Sequence, residues 1–193
     1  MIRTLLRKAT DPIFDFKRSA RLRAAPGRRS LFTETVFLGV TGSHGKSTST
    51  ALLGKMLSSK APTYSGIYRN TSRAIVRGLF LAKPRRHRYF VQEVSGHAPG
   101  SVSRSVDLLK PSVGIVTAVG GDHRKAFAGS HAATAAEKAK LVHSLPENGL
   151  AVLNADDPLV AAMANGCRCR VVTFGRADGA DLRLNTASSQ WPN

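Results

Sequence analysis

Val36-Phe37-Leu38-Gly39-Val40-Thr41-Gly42-Ser43-His44-Gly45-Lys46-Ser47-Thr48 is the stretch on which the reading of the fold turns. The short apolar run Val36–Val40 predicts a strand buried on both faces. It stops at a glycine-rich turn. Beyond Lys46, Leu52, Leu53, Met56 and Leu57 recur at helical spacing and are expected to share one buried face. Strand, glycine loop and helix together form the context in which backbone N–H groups wrap around phosphates. Lys46 is placed to reach the β- and γ-phosphates, and Ser47 to hold Mg²⁺ through its hydroxyl. The helix N-terminus adds favourable partial charge. Gly42, Ser43, His44, Gly45, Lys46, Ser47 and Thr48 are therefore candidate nucleotide-binding residues. The strict form of this motif begins with glycine five residues before Gly45, a position held here by Val40.

Four more apolar runs follow: Tyr89–Val94, Val113–Thr117, Ala151–Leu153 and Val171–Phe174. A second helical pattern puts Leu141, Val142 and Leu145 on one face. Continuous apolar strands alternating with helices predict an α/β fold with a doubly wound, mostly parallel sheet. Polar and glycine residues cluster just after the strands: Thr41–Gly45, Glu93-Val94-Ser95, Gly120-Gly121-Asp122-His123 and Asn154-Ala155-Asp156-Asp157. In an open parallel sheet those positions line the carboxyl edge, where ligands bind. Sequence-distant groups should therefore meet in one cleft. Glu93, inside an apolar run, is costly to bury unless paired or metal-bound. Asp156 and Asp157 are equally suited to cap the turn before Pro158.

The run GVTGSHGKSTST resembles the phosphate loop of the Mur ligase family, ATP-dependent enzymes that join an amino acid or peptide to a carboxylate. Four further blocks stand in the family's order. VQEVSGHA resembles the strand ending in a metal-binding glutamate, which implies Glu93. PSVGIVTAVGGDH resembles the strand leading to an Asp-His pair, which implies His123 as a magnesium ligand. GSHAATAAEKAKL resembles the helix with a carbamylated lysine, and GLAVLNADDP resembles the strand leading to an Asn-Asp-Asp segment, which implies Asn154 at the nucleotide. Asn70 and Thr71 stand where the family contacts its acceptor. The sequence departs from the family at Ala118, where asparagine usually follows the threonine, and at His44, where a small or amide residue is usual.

The carbamylated-lysine block contains two lysines. Lys138 lies three residues before Leu141 and four before Val142, on their apolar face, whereas Lys140 points away near His143. Desolvation pushes an inward lysine toward neutrality, although a long side chain can also snorkel outward. The resemblance implies that Lys138 is carbamylated and, with Ser47, Glu93 and His123, belongs to the metal set. It implies Lys46, Lys138 and His123 as catalytic residues. ATP and Mg²⁺ are the implied cofactors, a carboxylate acceptor and an amino-acid or peptide amine the implied partners, and the cytoplasm the implied location.

Composition excludes several alternatives. Forty-two per cent of residues are hydrophobic and 21% charged, as in a globular chain. No apolar run is long enough to cross a bilayer. Two cysteines, Cys167 and Cys169, cannot form a disulfide framework. The net charge of +17 suits an anionic partner, and residues 1–30 alone hold nine Lys/Arg against Asp11 and Asp15. The basic clusters lack interleaved aromatics, which argues against nucleic acid. Residues 1–33 read as a basic extension with a short amphipathic pattern from Ile2 to Phe16, similar in composition to a transit peptide and equally to a truncated or degenerate domain start. Residues 34–193 read as the central ATP-binding domain without the closing carboxyl-terminal domain. The chain is thus expected to be inactive alone, as a truncated or split ligase whose lid a partner chain supplies. The competing functions are another P-loop protein, such as a small-molecule kinase or regulator, and a basic nucleic-acid module.

Overall fold

Parallel strands need crossover connections, and the helices between the apolar runs supply them. The computed structural model describes residues 12–68, 70–121 and 124–186. In chain order the elements are α1 (Pro12–Ser30), β1 (Val36–Thr41), α2 (Lys46–Ser58), β2 (Thr63–Gly66), α3 (Ser72–Leu81), β3 (Tyr89–Glu93), α4 (Ser101–Leu109), β4 (Val113–Val116), α5 (His131–His143), β5 (Leu150–Asn154), α6 (Pro158–Ala161), β6 (Arg170–Gly175) and β7 (Leu182–Arg183). The strands form one sheet in the order β2-β3-β1-β4-β5-β6-β7, and every neighbouring pair is parallel. The expected doubly wound sheet is present. From β1 the chain crosses to β2 at one edge and returns to β3. It then continues on the other side of β1 with β4. The winding direction reverses between β1 and β4, which makes the crevice at their carboxyl ends the topological switch point.

The sheet faces are unequal. One carries α3, α4 and α5 side by side, whose Ile75, Leu79, Leu109 and Leu141 form one buried cluster with Phe37 and Phe90 of the sheet. The Phe37 and Phe90 rings stack with centroids 4.8 Å apart. The other face is covered at β1 and β3 by α2, whose Leu53 and Leu57 pack on Leu38, Val40, Val91 and Ile115. Leu141, Val142 and Leu145 are all buried, as expected of one helical face.

The face of three leucines and one methionine expected for α2 needs correction. Leu53 and Leu57 face the sheet, but Leu52 and Met56 are 59% and 67% exposed. Close packing at Gly54 sets the rotation of the helix: a Cβ there would stand 2.0 Å from the Ser65 hydroxyl of β2. The backbone of α2 therefore rests on β2 along Thr50 and Gly54, and the Leu52–Met56 row turns outward.

Strands β2 and β7 add to the five apolar runs. β2, Thr-Tyr-Ser-Gly, lies at the sheet edge and needs no apolar run, and β7 has two exposed residues. Residues 2–11 of the expected amphipathic pattern lie outside the described residues. From Pro12 the chain forms a 19-residue helix, longer than the short pattern suggested. Its end belongs to the domain core, since Ala25 and Phe32 are buried with Phe37 and Phe90. Arg28 donates to the carbonyls of Leu79 (3.0 Å) and Ala82 (2.9 Å), and Arg29 to those of Leu109 (2.7 Å) and Lys110 (2.9 Å). Two consecutive side chains thus satisfy the carboxyl ends of α3 and α4, where cations are favoured by the helix dipole.

Candidate functional site

β1 delivers the phosphate loop to the switch point. Gly42 (φ 149°) and Gly45 (φ 80°) adopt backbone angles that side chains disfavour. A Cβ on Gly42 would also meet the Thr117 hydroxyl at 2.0 Å. The loop is fastened to the end of β4. Ser43 N–H donates to the Ala118 carbonyl (2.8 Å), Gly120 N–H donates to the Ser43 hydroxyl (2.7 Å), and the Thr117 hydroxyl donates to the His44 carbonyl (2.6 Å). Gly45 is the N-cap of α2, and no side chain caps that helix. Its first-turn N–H groups are therefore available to an anion. Lys46 folds back so that its ammonium donates to the carbonyls of Gly42 and Ser43. Ser47 is half-buried and Thr48 exposed on the same first turn.

Glu93 ends β3, in register with Val40 of the adjacent β1, and is buried. Its Oε1 accepts the backbone N–H of Tyr68 at 3.0 Å. Lys138 of α5 is fully buried, as its helical position predicted. Its ammonium reaches the loop after β3: a Cβ built on Gly96 would stand 3.5 Å from Nζ. Lys140 points outward and pairs with Glu137 at 2.7 Å. The fold therefore brings Lys46, Ser47, Glu93 and Lys138 to neighbouring segments of one sheet edge. His123, with Asp122, lies outside the described residues. Among the described residues no three His, Cys, Asp or Glu side chains cluster as a metal site.

Asn154 ends β5. Its amide donates to the Thr117 carbonyl (2.8 Å) and accepts the Asp156 N–H (3.0 Å), so it braces the strand that holds the phosphate loop. Asp157 caps α6 through the N–H groups of Leu159 and Val160 and also accepts Val119 N–H at 2.7 Å. Asp156 accepts the N–H groups of Arg176 and Ala177, which hold its carboxyl below the usual range. The Thr71 hydroxyl caps α3 by accepting Ala74 N–H, and the Asn70 carbonyl accepts Ser95 N–H. Cys167 and Cys169 are both free thiols, and burial pushes Cys167 up to about 11.

Glu137 escaped the sequence reading. It is buried; its carboxylate accepts Val102 N–H (2.8 Å) and Gly100 N–H (3.0 Å), and so caps α4 from α5. Its i,i+3 spacing to Lys140 is visible in the sequence, but the remote helix end is not.

Comparison with known proteins agrees with this geometry. The Mur ligase middle domain family matches residues 40–191. A UDP-N-acetylmuramoyl-tripeptide–D-alanyl-D-alanine ligase of Mycobacterium tuberculosis is 31% identical over 163 residues, 84% of this chain and 32% of that protein. A UDP-N-acetylmuramoylalanine–D-glutamate ligase of Pelotomaculum thermopropionicum is 30% identical over 156 residues, covering 75% of this chain and 30% of that protein. The chain thus spans about a third of the length of the curated relatives it matches. MurF from Acinetobacter baumannii shares the fold with a TM-score of 0.77 at 23% identity, over 85% of this chain and 36% of that one. MurF from Thermotoga maritima, solved in complex with ADP, superimposes with a TM-score of 0.72 at 23% identity, over 85% of this chain and 38% of that one. With more than half of its length matched, the chain belongs to the Mur ligase family, as a middle domain of that family.

Proposed function

We propose that the chain binds Mg·ATP through Gly42–Thr48 and forms the phosphoryl-transfer centre of an amide-forming ligase. The observation that carries this reading is the uncapped, glycine-turned start of α2, with Lys46 folded over it and Glu93 one strand away. In the proposed reaction an acceptor carboxylate attacks the γ-phosphorus of ATP and expels ADP. An amine then attacks the resulting acyl phosphate and expels phosphate. Lys46 trades its loop carbonyls for phosphate oxygens and offsets their charge. The first-turn N–H groups hold the phosphate chain in line with the acceptor.

The donor set suits magnesium, which prefers hard oxygen ligands. The Ser47 hydroxyl and the buried Glu93 carboxylate supply two. A carbamate on Lys138, formed by addition of the neutral amine to CO₂ with loss of a proton, supplies a third anionic group. We propose His123 as the remaining member. Magnesium, when bound, neutralises charge on the transferring phosphoryl group. Asn154 acts at the nucleotide by bracing Thr117 beneath the loop. We further propose that residues 34–193 form the ATP-binding unit with α1 strapped across it, that it works in the cytoplasm, and that amide formation needs a closing domain of the kind longer ligases carry, in the same or a partner chain.

A phosphate-release assay on the 193-residue chain with muramyl-peptide and amino-acid acceptors tests the division of labour. ATP binding without acceptor-dependent turnover is expected; robust turnover by this chain alone sinks it. In a complete ligase containing this domain, Lys138→Ala should lose activity and recover part of it with added formate or acetate. Wild-type turnover by Lys138→Ala would refute the carbamate.

A further inference from the structure

Between residues 16 and 92 the sequence has sixteen Lys/Arg and a single acid, Glu34, so this stretch holds +15 of the chain's +17. Part of this charge gathers at one edge of the sheet. Because all strands are parallel, the segments that precede them share the amino edge of the sheet, about 17 Å from the phosphate loop along five-residue strands. Lys60, Lys83, Arg85, Arg86 and Lys110 lie on those segments and are exposed. Glu34 is already paired with Arg88 at 2.7 Å, and the charges of Arg28 and Arg29 are turned onto helix ends. Two further acids stand along this edge, the exposed Asp107 in the last turn of α4 and Glu147 before β5, so the excess of cations is concentrated before β2 and β3.

The loop carrying the cations is built rather than loose. His87 accepts Lys83 N–H on Nδ1 (2.9 Å), its own N–H donates to the Lys83 carbonyl (2.9 Å), and the Thr35 hydroxyl donates to the His87 carbonyl (2.6 Å). Exposed aliphatic side chains stand among the charges. Leu31 is 56% and Leu81 55% exposed, and Val36 at the start of β1 is also uncovered. Single-strand or sequence-specific nucleic-acid recognition would call for stacking rings or base-reading groups. Of the partly exposed rings here, Phe80 already lies beneath Arg21 and Arg28 and Tyr89 packs at the start of β3. Cations interleaved with aliphatic tips instead match the headgroup boundary of an anionic bilayer. No helix among the described residues is long and apolar enough to cross a membrane.

We propose that this amino-edge face docks on anionic membrane surfaces and leaves the phosphate loop, on the opposite edge, open to solution. The test is co-sedimentation of the full chain with phosphatidylcholine vesicles, with or without about one third phosphatidylserine, in about 0.1 M and about 0.5 M salt. Binding to the anionic vesicles alone, weakened by salt, is expected. The triple variant Lys83→Glu, Arg85→Glu, Arg86→Glu should lose about a hundredfold in partitioning, at about fivefold per cation. Leu31→Ser with Leu81→Ser should weaken vesicle binding at unchanged net charge. Lys83→Gln, Arg85→Gln, Arg86→Gln is the milder substitute if charge reversal impairs folding, judged by circular dichroism. No binding, equal binding to neutral vesicles, or indifference to the leucine changes overturns the proposal. Tighter retention of a labelled DNA duplex than of anionic vesicles also overturns it, in favour of nucleic acid.

Discussion

Glu137 of α5 accepts the backbone N–H of Val102 at 2.8 Å, so the helix that carries Lys138 also caps the start of α4. The same carboxylate takes Gly100 N–H and the Lys140 ammonium. Burial alone would raise its pKa, but the Lys140 ammonium and the two backbone donors outweigh that and hold it below the ordinary carboxylate value. A depressed folded value means the stabilisation is complete above the ordinary glutamate pKa, about 4.3, and is lost as pH falls through the folded value. Glu137→Ala should cost about 3 kcal/mol at neutral pH, chiefly because it orphans two helix N–H groups, with a small part from the lost pair to the exposed Lys140. Glu137→Gln should cost less and should be insensitive to acid at this site. Urea midpoints for wild type and Glu137→Gln should converge below about pH 4. A constant gap from pH 7 to pH 3 would show that the carboxylate charge is not what caps α4.

Lys46 can be removed without touching the core, since among the described residues its ammonium bonds to the Gly42 and Ser43 carbonyls of the loop. Lys46→Ala should leave stability within about 0.5 kcal/mol of wild type. Mg·ATP affinity should fall by about tenfold or more, the worth of a charge-assisted contact to phosphate. Calorimetric titration measures both proteins directly. Equal affinities would remove Lys46 from the nucleotide site.

The sequence was most legible where burial is two-sided. β1, β3 and β4 are buried on both faces and read as apolar runs, β5 and β6 read so although β5 is buried on one face and β6 only partly, and the inward turn of Lys138 followed from Leu141 and Val142. β2 was illegible because an edge strand such as Thr63–Gly66 needs no such pattern. The face of α2 misled because its tightest contact is made by a glycine, which carries no hydropathy signal. The Glu137 cap and the Arg28–Arg29 clamp were hidden for another reason. Their partners are backbone groups 35 to 81 residues away, and any residue can supply those.

Gly54 offers a test of that glycine contact. In a free helix, alanine for glycine is worth about 1 kcal/mol in favour of alanine. Here the new Cβ would overlap the Ser65 hydroxyl, so Gly54→Ala should destabilise by about 1–3 kcal/mol instead. Combining it with Ser65→Gly should recover most of the loss, with a coupling above about 0.5 kcal/mol in a double-mutant cycle. A stabilising Gly54→Ala would mean that α2 does not sit this close to β2.

The last prediction concerns α1, which sequence composition presented as a basic extension. Arg29 is held by three contacts: the carbonyls of Leu109 and Lys110, and the ring of Phe37, 3.5 Å from the guanidinium carbon. Burial pulls its pKa down to about 10, which still leaves it charged at neutral pH. Truncation to alanine removes two bonds to helix-terminal carbonyls and a cation–π contact, and uncovers a buried phenylalanine. The expected loss is about 3 kcal/mol. Arg29→Lys keeps the charge but cannot fork across two carbonyls while lying flat on a ring, so it should recover less than half of that loss. Arg28, whose ring contacts at 5.6 and 5.9 Å are longer, should cost about 2 kcal/mol when truncated. The double variant should cost less than the two singles combined, because once α1 has lifted from one helix end the second clamp has little left to hold. Limited trypsin digestion gives an independent readout. Cleavage at Arg21 and Arg23 should accelerate in Arg29→Ala while the β1–β6 body survives. Stability within about 0.5 kcal/mol of wild type for both Arg29 variants, with unchanged cleavage, would mean that α1 is a passive extension after all.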